Sequence, residues 1–329
     1  MKNPTGLWMF PAISIVVIYS CTKPANSVLL PVPSIATVNG YPSGNSNSGN
    51  SAFSNLPSDV RMARCNLNLA FNDVNFALGL SSPGKKITSN QFILCGAKMD
   101  SSNFHSKGIL LLNYDGTTEC GPDQVLRSGQ ISITTPLNNS WDSAGSTCTL
   151  GFVNYKVTNN STDKSITING IQTITNTSGG LVASFSGLPV VFRIQGLPLS
   201  VTFNDSIQRI WNLRITRTII ATGNASLNTL TVSEQGDTSL NGVANTAFWG
   251  TTKSGAAFST SVNRYTANSN CGFRNPTGGT EVFALDSNRV TVTYGVTPAG
   301  NPVTSGCAFG YKEVWKNSAG LPQTIVFRY

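Results

Sequence analysis

The sequence predicts an all-β fold: two antiparallel sandwich- or barrel-like domains of related build, preceded by one amphipathic helix. Three observations carry this. Beyond Lys85, apolar and polar residues alternate with period two in short runs separated by Gly, Asn, Asp and Pro, the pattern of half-buried strands joined by turns. Only one segment, Ser58–Gly79, spaces its apolar residues at three and four, as a helix requires. Many short strands with close turn signals and no second helical segment fit sandwiches or barrels rather than βαβ units.

Taken in order, the chain opens with Lys2 and an apolar stretch from Leu7 to Tyr19 that runs into Ser20-Cys21. This is the layout of an export signal, and its core is shorter than the roughly 20 apolar residues a membrane-spanning helix needs. Ile18-Tyr19-Ser20-Cys21 resembles the bacterial lipobox, which implies cleavage after residue 20 and lipid modification of Cys21. Acyl chains on that cysteine would anchor the protein to a membrane without spanning it. Residues 21–57 are rich in Ser, Asn, Gly and Pro, most plainly over Tyr41–Ser51, and read as a flexible tether.

The helix follows, with Ser58 as its cap, Gly79 as its stop, and Val60, Ala63, Leu67, Ala70, Phe71, Val74, Ala77 and Leu78 as its buried stripe. Strands are expected at 90–95, 108–114, 129–135, 148–157, 181–186, 190–195, 199–204, 207–219, 227–233, 281–285, 289–294, 308–315 and 323–328. Ser165–Ile174 reads as a hairpin turning at Asn169-Gly170. Over 207–219, Ile207, Trp211, Leu213 and Ile215 form a dry face, and Gln208, Asn212, Arg214 and Thr216 a wet one. Arg209, Arg214 and Arg217 are candidates for an anion-contacting edge.

Seven cysteines are present. With Cys21 assigned to lipid, six remain, an even number in a chain expected to reach an oxidising compartment. A Cys-Gly before a strand that ends in Tyr and Gly, and a second cysteine after the next turn, recur at Cys95/Cys120 and Cys271/Cys307. This approximate duplication predicts disulfides Cys95–Cys120 and Cys271–Cys307, each contributing about 3–4 kcal/mol by chain entropy. Cys65–Cys148 follows by elimination. The division is then 1–20 signal, 21–57 tether, 58–188 helix plus first β domain, and 189–329 second β domain.

Asn113-Tyr-Asp-Gly-Thr-Thr-Glu-Cys120, Arg127-Ser-Gly-Gln-Ile-Ser-Ile133, Asn154-Tyr-Lys-Val157 and Ser165-Ile-Thr-Ile-Asn-Gly with Thr173-Ile-Thr-Asn-Thr-Ser-Gly-Gly180 give the chain a resemblance to uncharacterised, lipid-anchored β-rich envelope proteins of Bacteroidota. The resemblance implies a location in the cell envelope, at the outer membrane, and no activity. Thr22-Lys23-Pro24-Ala25-Asn26 lacks the acids that follow the lipid cysteine in surface-exported members, which implies a periplasm-facing anchor.

Composition excludes several chemistries. The charge of +8 arises from 22 bases and 14 acids, but the bases are scattered, unlike the stripes that neutralise phosphates, so no nucleic-acid partner is expected. The single histidine, His105, lies in a polar loop, which argues against Ser–His hydrolysis and histidine metal sites. No CxxC pair, calcium ladder or phosphate loop occurs, so no metal and no cofactor is expected. Asp115 with Glu119, or Glu234 with Asp237, are the candidate carboxylate pairs for glycoside hydrolysis, though both sit in turns where acids are ordinary. Trp141, Trp249 and Tyr265 lie among polar, turn-forming residues and are the candidate partner-binding aromatics. The expected function is a membrane-anchored, non-catalytic envelope protein that holds a protein or glycan partner. The alternative is a glycan-binding module serving polysaccharide uptake or adhesion.

Overall fold

The computed structural model describes residues 50–80, 94–120, 124–137, 140–160, 162–182, 188–222, 229–273, 275–316 and 319–329. The expected signal segment, Cys21 and the tether up to residue 49 lie outside the described residues, as do most of the strands expected at 90–95 and 181–186.

Helix α1 (Asn50–Leu80) begins eight residues before the expected cap at Ser58 and carries Pro57 inside it. Proline has no N–H for the ladder and crowds the carbonyl four residues earlier, which is why the sequence suggests a boundary there. Burial decides otherwise: Leu56 and Pro57 are both enclosed, and the helix continues through them. The eight apolar residues of the expected stripe are all buried. More informative is the remainder of the helix, because from Leu56 to Gly79 no residue is solvent-exposed. A surface helix would leave one face wet, so α1 is a central element.

The sheet around it is entirely antiparallel and holds fifteen strands: β1 (Ala97–Asp100), β2 (Ile109–Asp115), β3 (Val125–Thr134), β4 (Ser146–Asn159), β5 (Lys164–Asn176), β6 (Val190–Phe203), β7 (Gln208–Thr222), β8 (Thr229–Gly236), β9 (Thr238–Leu240), β10 (Val243–Thr251), β11 (Ala257–Asn268), β12 (Gly278–Leu285), β13 (Asn288–Val296), β14 (Gly310–Lys316) and β15 (Pro322–Arg328). A short helix, α2 (Phe104–Lys107), lies between β1 and β2. Each strand pairs with its sequence neighbour, except that β8 and β10 lie end to end in one slot between β7 and β11, with β9 paired to β10 beside them. Residues on α1 reach side chains from β2 and β3 near one edge and from β12 and β14 near the other. Only a sheet curled around the helix permits this. One hydrogen-bonded sheet thus runs through the expected 188/189 boundary, with β6 paired to both β5 and β7, and a division into two domains is not confirmed.

Residues 165–174 correct the hairpin expectation. They belong to one strand, β5, and Asn169-Gly170 forms no turn but lies between a bulge in β4 at Val153-Asn154 and a bulge in β6 at Leu197-Pro198. Gly170 has φ +123°, and a Cβ there would lie 2.8 Å from the Pro198 carbonyl oxygen, so glycine is required for close strand approach, not for chain reversal. The bulges shift side-chain parity in β4, from Phe152 to Tyr155, and in β6, from Gly196 to Leu199, whereas β5 keeps its alternation. Ile166, Ile168, Gln172 and Ile174 all point inward, and Ile171, of the opposite parity, is 56 % exposed.

The two bulges lie at one level on alternate strands, and each shifts the register with both neighbours: that of β4 against β3 and β5, and that of β6 against β5 and β7. A bulge bends its strand and increases local twist, so a transverse row of two on alternate strands bends the sheet across four ladders. This row is the local device that curls the sheet around α1. The two halves expected as strands at 190–195 and 199–204 are accordingly one bent strand, β6.

Candidate functional site

The enclosed space is where a β-rich shell would hold a ligand, and here α1 fills it. The helix is apolar along much of its surface but also presents Asp59, Arg61, Arg64, Asn68, Asp73 and Asn75 to the sheet. Each meets an inward-facing partner. Arg64 makes a two-pronged pair with Glu281 on β12, Nη1–Oε2 2.9 Å and Nη2–Oε1 2.6 Å, and its Nε lies 3.5 Å from Glu234 Oε2 on β8. Tyr294 donates to the same Glu281 at 2.9 Å. Arg217 on β7 binds Glu234 at 2.6 Å and donates to Asn68 Oδ1. At the C-terminal half, Asp73 accepts from Arg127 Nη1 at 2.5 Å and from the Tyr114 hydroxyl at 2.7 Å, while Arg127 also donates to the Cys95 carbonyl. The Trp141 indole donates to Asn75 Oδ1 at 3.1 Å.

Aromatic faces complete the lining. The Arg64 guanidinium lies over Phe248 and Tyr265, that of Arg217 over Phe71, and that of Arg127 over Tyr114, at 4.3–5.3 Å from the ring centroids. Charges taken out of water need both pairing and additional hydrogen bonds; each of these guanidiniums has a carboxylate partner, while Arg64 Nε and Glu234 Oε2 face each other without a hydrogen bond. Burial raises the Asp73 carboxyl pKa against the opposing pull of Arg127, and burial likewise pushes the Tyr265 and Tyr294 hydroxyls well above the ordinary tyrosine range. A cavity of about 10 Å³ remains between Arg64, Asn68, Phe71, Gln172 and Arg217. That is room for about one water. Gln172 Oε1, buried and without a hydrogen-bond partner, lies in its wall.

At the N-terminal end of α1, Arg209 on β7 binds Asp205 at 2.5 Å, stacks over Phe203 at 4.4 Å, and faces Asp59 at 3.9 Å. Burial raises the Asp59 pKa from 3.8 to about 6; Arg209 opposes that rise and Asp205 adds to it.

Several sequence expectations are corrected here. Trp141 is a core residue, 5 % exposed and stacked on Phe192 with ring centroids 6.0 Å apart, because its indole N–H has Asn75 to bond. Tyr265 also faces inward, edge-on to Tyr294. Arg209 and Arg217 occupy the dry face of β7 with Trp211, Leu213 and Ile215, so with Arg214 on the other face they form no common edge. The carboxylate pairs do not assemble either. Glu234 is buried against Arg217, whereas Asp237 meets the solvent-facing Arg193 at 2.5 Å. Asp115 caps its own turn by accepting from Thr117 N, Thr118 N and Thr118 Oγ1, and those bonds hold its pKa down at about 2. Glu119 accepts from Asn160.

Trp249 is the expected aromatic that the structure leaves outward. Phe248 beside it points inward, and Trp249, half-buried, is paired across the sheet with Asn212 on β7 and Ser259 on β11. His105 sits exposed on α2, against Phe104.

Disulfides Cys95–Cys120 and Cys271–Cys307 are formed, with Cα separations of 5.8 and 5.2 Å. The third expected bridge is not: no bond joins Cys65 to Cys148. Cys148 lies near the start of β4, the end of the sheet where Trp141 meets Asn75. Cys65 is ten residues earlier than Asn75 on α1, about 15 Å along the axis. Elimination counts sulfurs and takes no account of where the helix carries them.

Among the described residues no cluster of His, Cys, Asp and Glu is arranged to hold a metal ion, and no helix is long and apolar enough to cross a membrane. Comparison with models of known protein families, with curated proteins and with solved structures gives no match.

Proposed function

We propose that the chain is an exported cell-envelope protein, lipid-anchored through Cys21, whose folded part is a non-catalytic scaffold that meets a protein or glycan partner near the membrane. The observation that carries the non-catalytic reading is the occupied interior: α1 fills the space inside the sheet, and its buried carboxylates Glu234, Glu281 and Asp73 are each bound by an arginine. A carboxylate held in this way is not available to give or take a proton from a substrate. A partner therefore has the outer sheet surface and the loops to meet. Two disulfides suit an oxidising compartment outside the cytosol, and the apolar leader ending in Ser20-Cys21 supports export and anchoring there.

Cys21→Ala tests the anchor. The variant should remain as an unprocessed precursor that does not incorporate labelled palmitate; continued labelling would refute the assignment. Affinity capture from native envelopes with the tagged protein tests the interaction role, and an enzymatic turnover of envelope glycans by the purified protein would overturn the non-catalytic reading.

A glycan-binding role is the second reading, supported by Trp249. A half-buried indole on the outer face, flanked by the amide of Asn212 and the hydroxyl of Ser259, has the stacking surface and hydrogen-bonding groups that sugars use. Trp249→Ala should abolish retention on a glycan array if this reading holds and leave it unchanged if it does not.

A further inference from the structure

Among the described residues the strand order ends in β1 and β15, and these two edges differ; the three-residue β9 pairs with β10 alone. β1 is four residues long, with charged Lys98 and Asp100 at alternate positions. Short, charged strands are the usual protection against unwanted strand addition. β15 is seven residues, runs in unbroken register with β14, and carries no charge from Pro322 to Phe327. Its charged residue, Arg328, turns its guanidinium back toward the Phe309 ring, 6.0 Å away, instead of guarding the edge.

The hydrogen-bond phase identifies which groups face outward. Tyr329 N donates to Phe309 O next to the Gly310↔Arg328 pair, so that pair is a non-hydrogen-bonded one. Phe327, Ile325 and Gln323 therefore bond to β14, and Pro322, Thr324, Val326 and Arg328 present their backbone groups to the open side. Among the described residues no strand pairs with that side.

The geometry points to β15 as a docking edge for the β15 of a second copy of this chain, paired antiparallel about a twofold axis at Ile325. In that register Thr324 lies opposite Val326 of the other copy, and Arg328 opposite Pro322. No like charges meet, and about six backbone hydrogen bonds form across the axis. The proline, which has no N–H to give, falls at the outermost pair, where it loses least. Pairing β15 with β1 of another copy instead would engage only Ala97 and Met99, whose backbone groups face away from β2, and would bring Lys98 and Asp100 into the contact. A twofold contact is also self-limiting, whereas head-to-tail pairing of the two edges would propagate. Strand addition of this kind takes its strength from the main chain and its register from alternate side chains.

The test uses the full-length protein in its detergent-solubilised form, examined by sedimentation over a range of concentrations. A monomer–dimer equilibrium is expected. Val326→Pro removes an N–H that points away from β14 and so leaves the β14–β15 ladder intact; it should abolish the dimer without changing the circular dichroism spectrum. Val326→Lys should do the same by placing two ammonium groups beside the axis. Mixing Thr324→Cys protein with Val326→Cys protein under mild oxidation should yield a mixed disulfide dimer in excess of either self-linked species. A monomer at every concentration would overturn the proposal, as would a dimer that survives both Val326 variants. Cross-links from position 324 to a different protein in native envelopes would show that the edge serves another partner and would equally overturn the second-copy assignment.

Discussion

Arg64 on the central helix and Glu281 on β12, 217 residues apart in sequence, form a two-pronged ion pair in which both side chains are almost fully excluded from water. The pair fixes the rotation of α1 within the curled sheet, because a guanidinium accepts a carboxylate well in only one planar arrangement. It does not follow that the pair adds net stability. Removing two charges from water costs about as much as their attraction returns, whereas breaking one partner leaves an uncompensated buried charge.

This separates two variants. Glu281→Gln should destabilise the protein by about 3–5 kcal/mol, and Arg64→Met with Glu281→Leu together should cost much less. Chemical unfolding of Glu281→Gln and of the double variant compares the two losses. Equal losses in Glu281→Gln and the double variant would contradict this account.

Asp59 gives a pH-dependent signature. Its folded pKa, about 6, lies above its unfolded value, so the folded state holds the proton more tightly. Its ionisation therefore detracts from stability, by nothing below about pH 4 and by a growing amount up to about pH 6, levelling at about 3 kcal/mol above that. Asp59→Asn should accordingly raise the melting temperature at pH 7.5 and leave it nearly unchanged at pH 4. A variant that is stabilised equally at both would refute the role given to burial.

The sulfur chemistry is directly countable. Intact mass before and after reduction and alkylation should register two bridges opened, Cys95–Cys120 and Cys271–Cys307, rather than three. Cys148 should resist thiol reagents in the folded protein, since it is 1 % exposed and burial raises its pKa well above the usual range, leaving little thiolate to react. Rapid native-state labelling of Cys148 would argue against its placement in the core.

Two tryptophans should respond oppositely. Trp141→Ala removes a ring packed on Phe192 and strands the Asn75 carbonyl, so a loss of about 3–5 kcal/mol is expected. Trp249→Ala, on the outer face, should cost about 1 kcal/mol or less, leaving any loss of binding attributable to contact rather than to unfolding.

Gly129 tests the bulge row. A Cβ at this position would lie 2.1 Å from the Asn154 carbonyl oxygen, and the backbone has φ +87°. Gly129→Ala should therefore destabilise by more than about 1 kcal/mol, the ordinary penalty for an alanine forced to positive φ, because strand separation must also adjust. Indifference to the substitution would mean that the bulge does not set the close approach of β3 and β4.

Much of the fold was legible because its signals are local. The eight-residue apolar stripe of α1, the dry face of Trp211, Leu213 and Ile215, and the two Cys-Gly repeats each declare themselves within a few residues, since periodicity and turn chemistry act over that range. β10 and β11 were not legible: Thr246, Ala247 and Phe248 are consecutive buried residues at a bulge, which destroys the alternation that marks a strand. Asn169-Gly170 misled in its own way, because a residue pair suited to a tight turn also suits a close strand approach opposite a bulge.

What the sequence by itself determined is the inventory: an all-β chain with one helix, two sulfur pairs, and scattered charge without a nucleophile–histidine set. What only the tertiary structure decided is which side of each strand meets the helix. Arg209, Arg217 and Glu234 read as surface charges along the chain and become the lining of the interior, since α1 brings Asp59 to Arg209, Asn68 to Arg217 and Arg64 to Glu234 from more than a hundred residues away. Burial with a partner is a property of three-dimensional proximity, and nothing within the span of one strand encodes it.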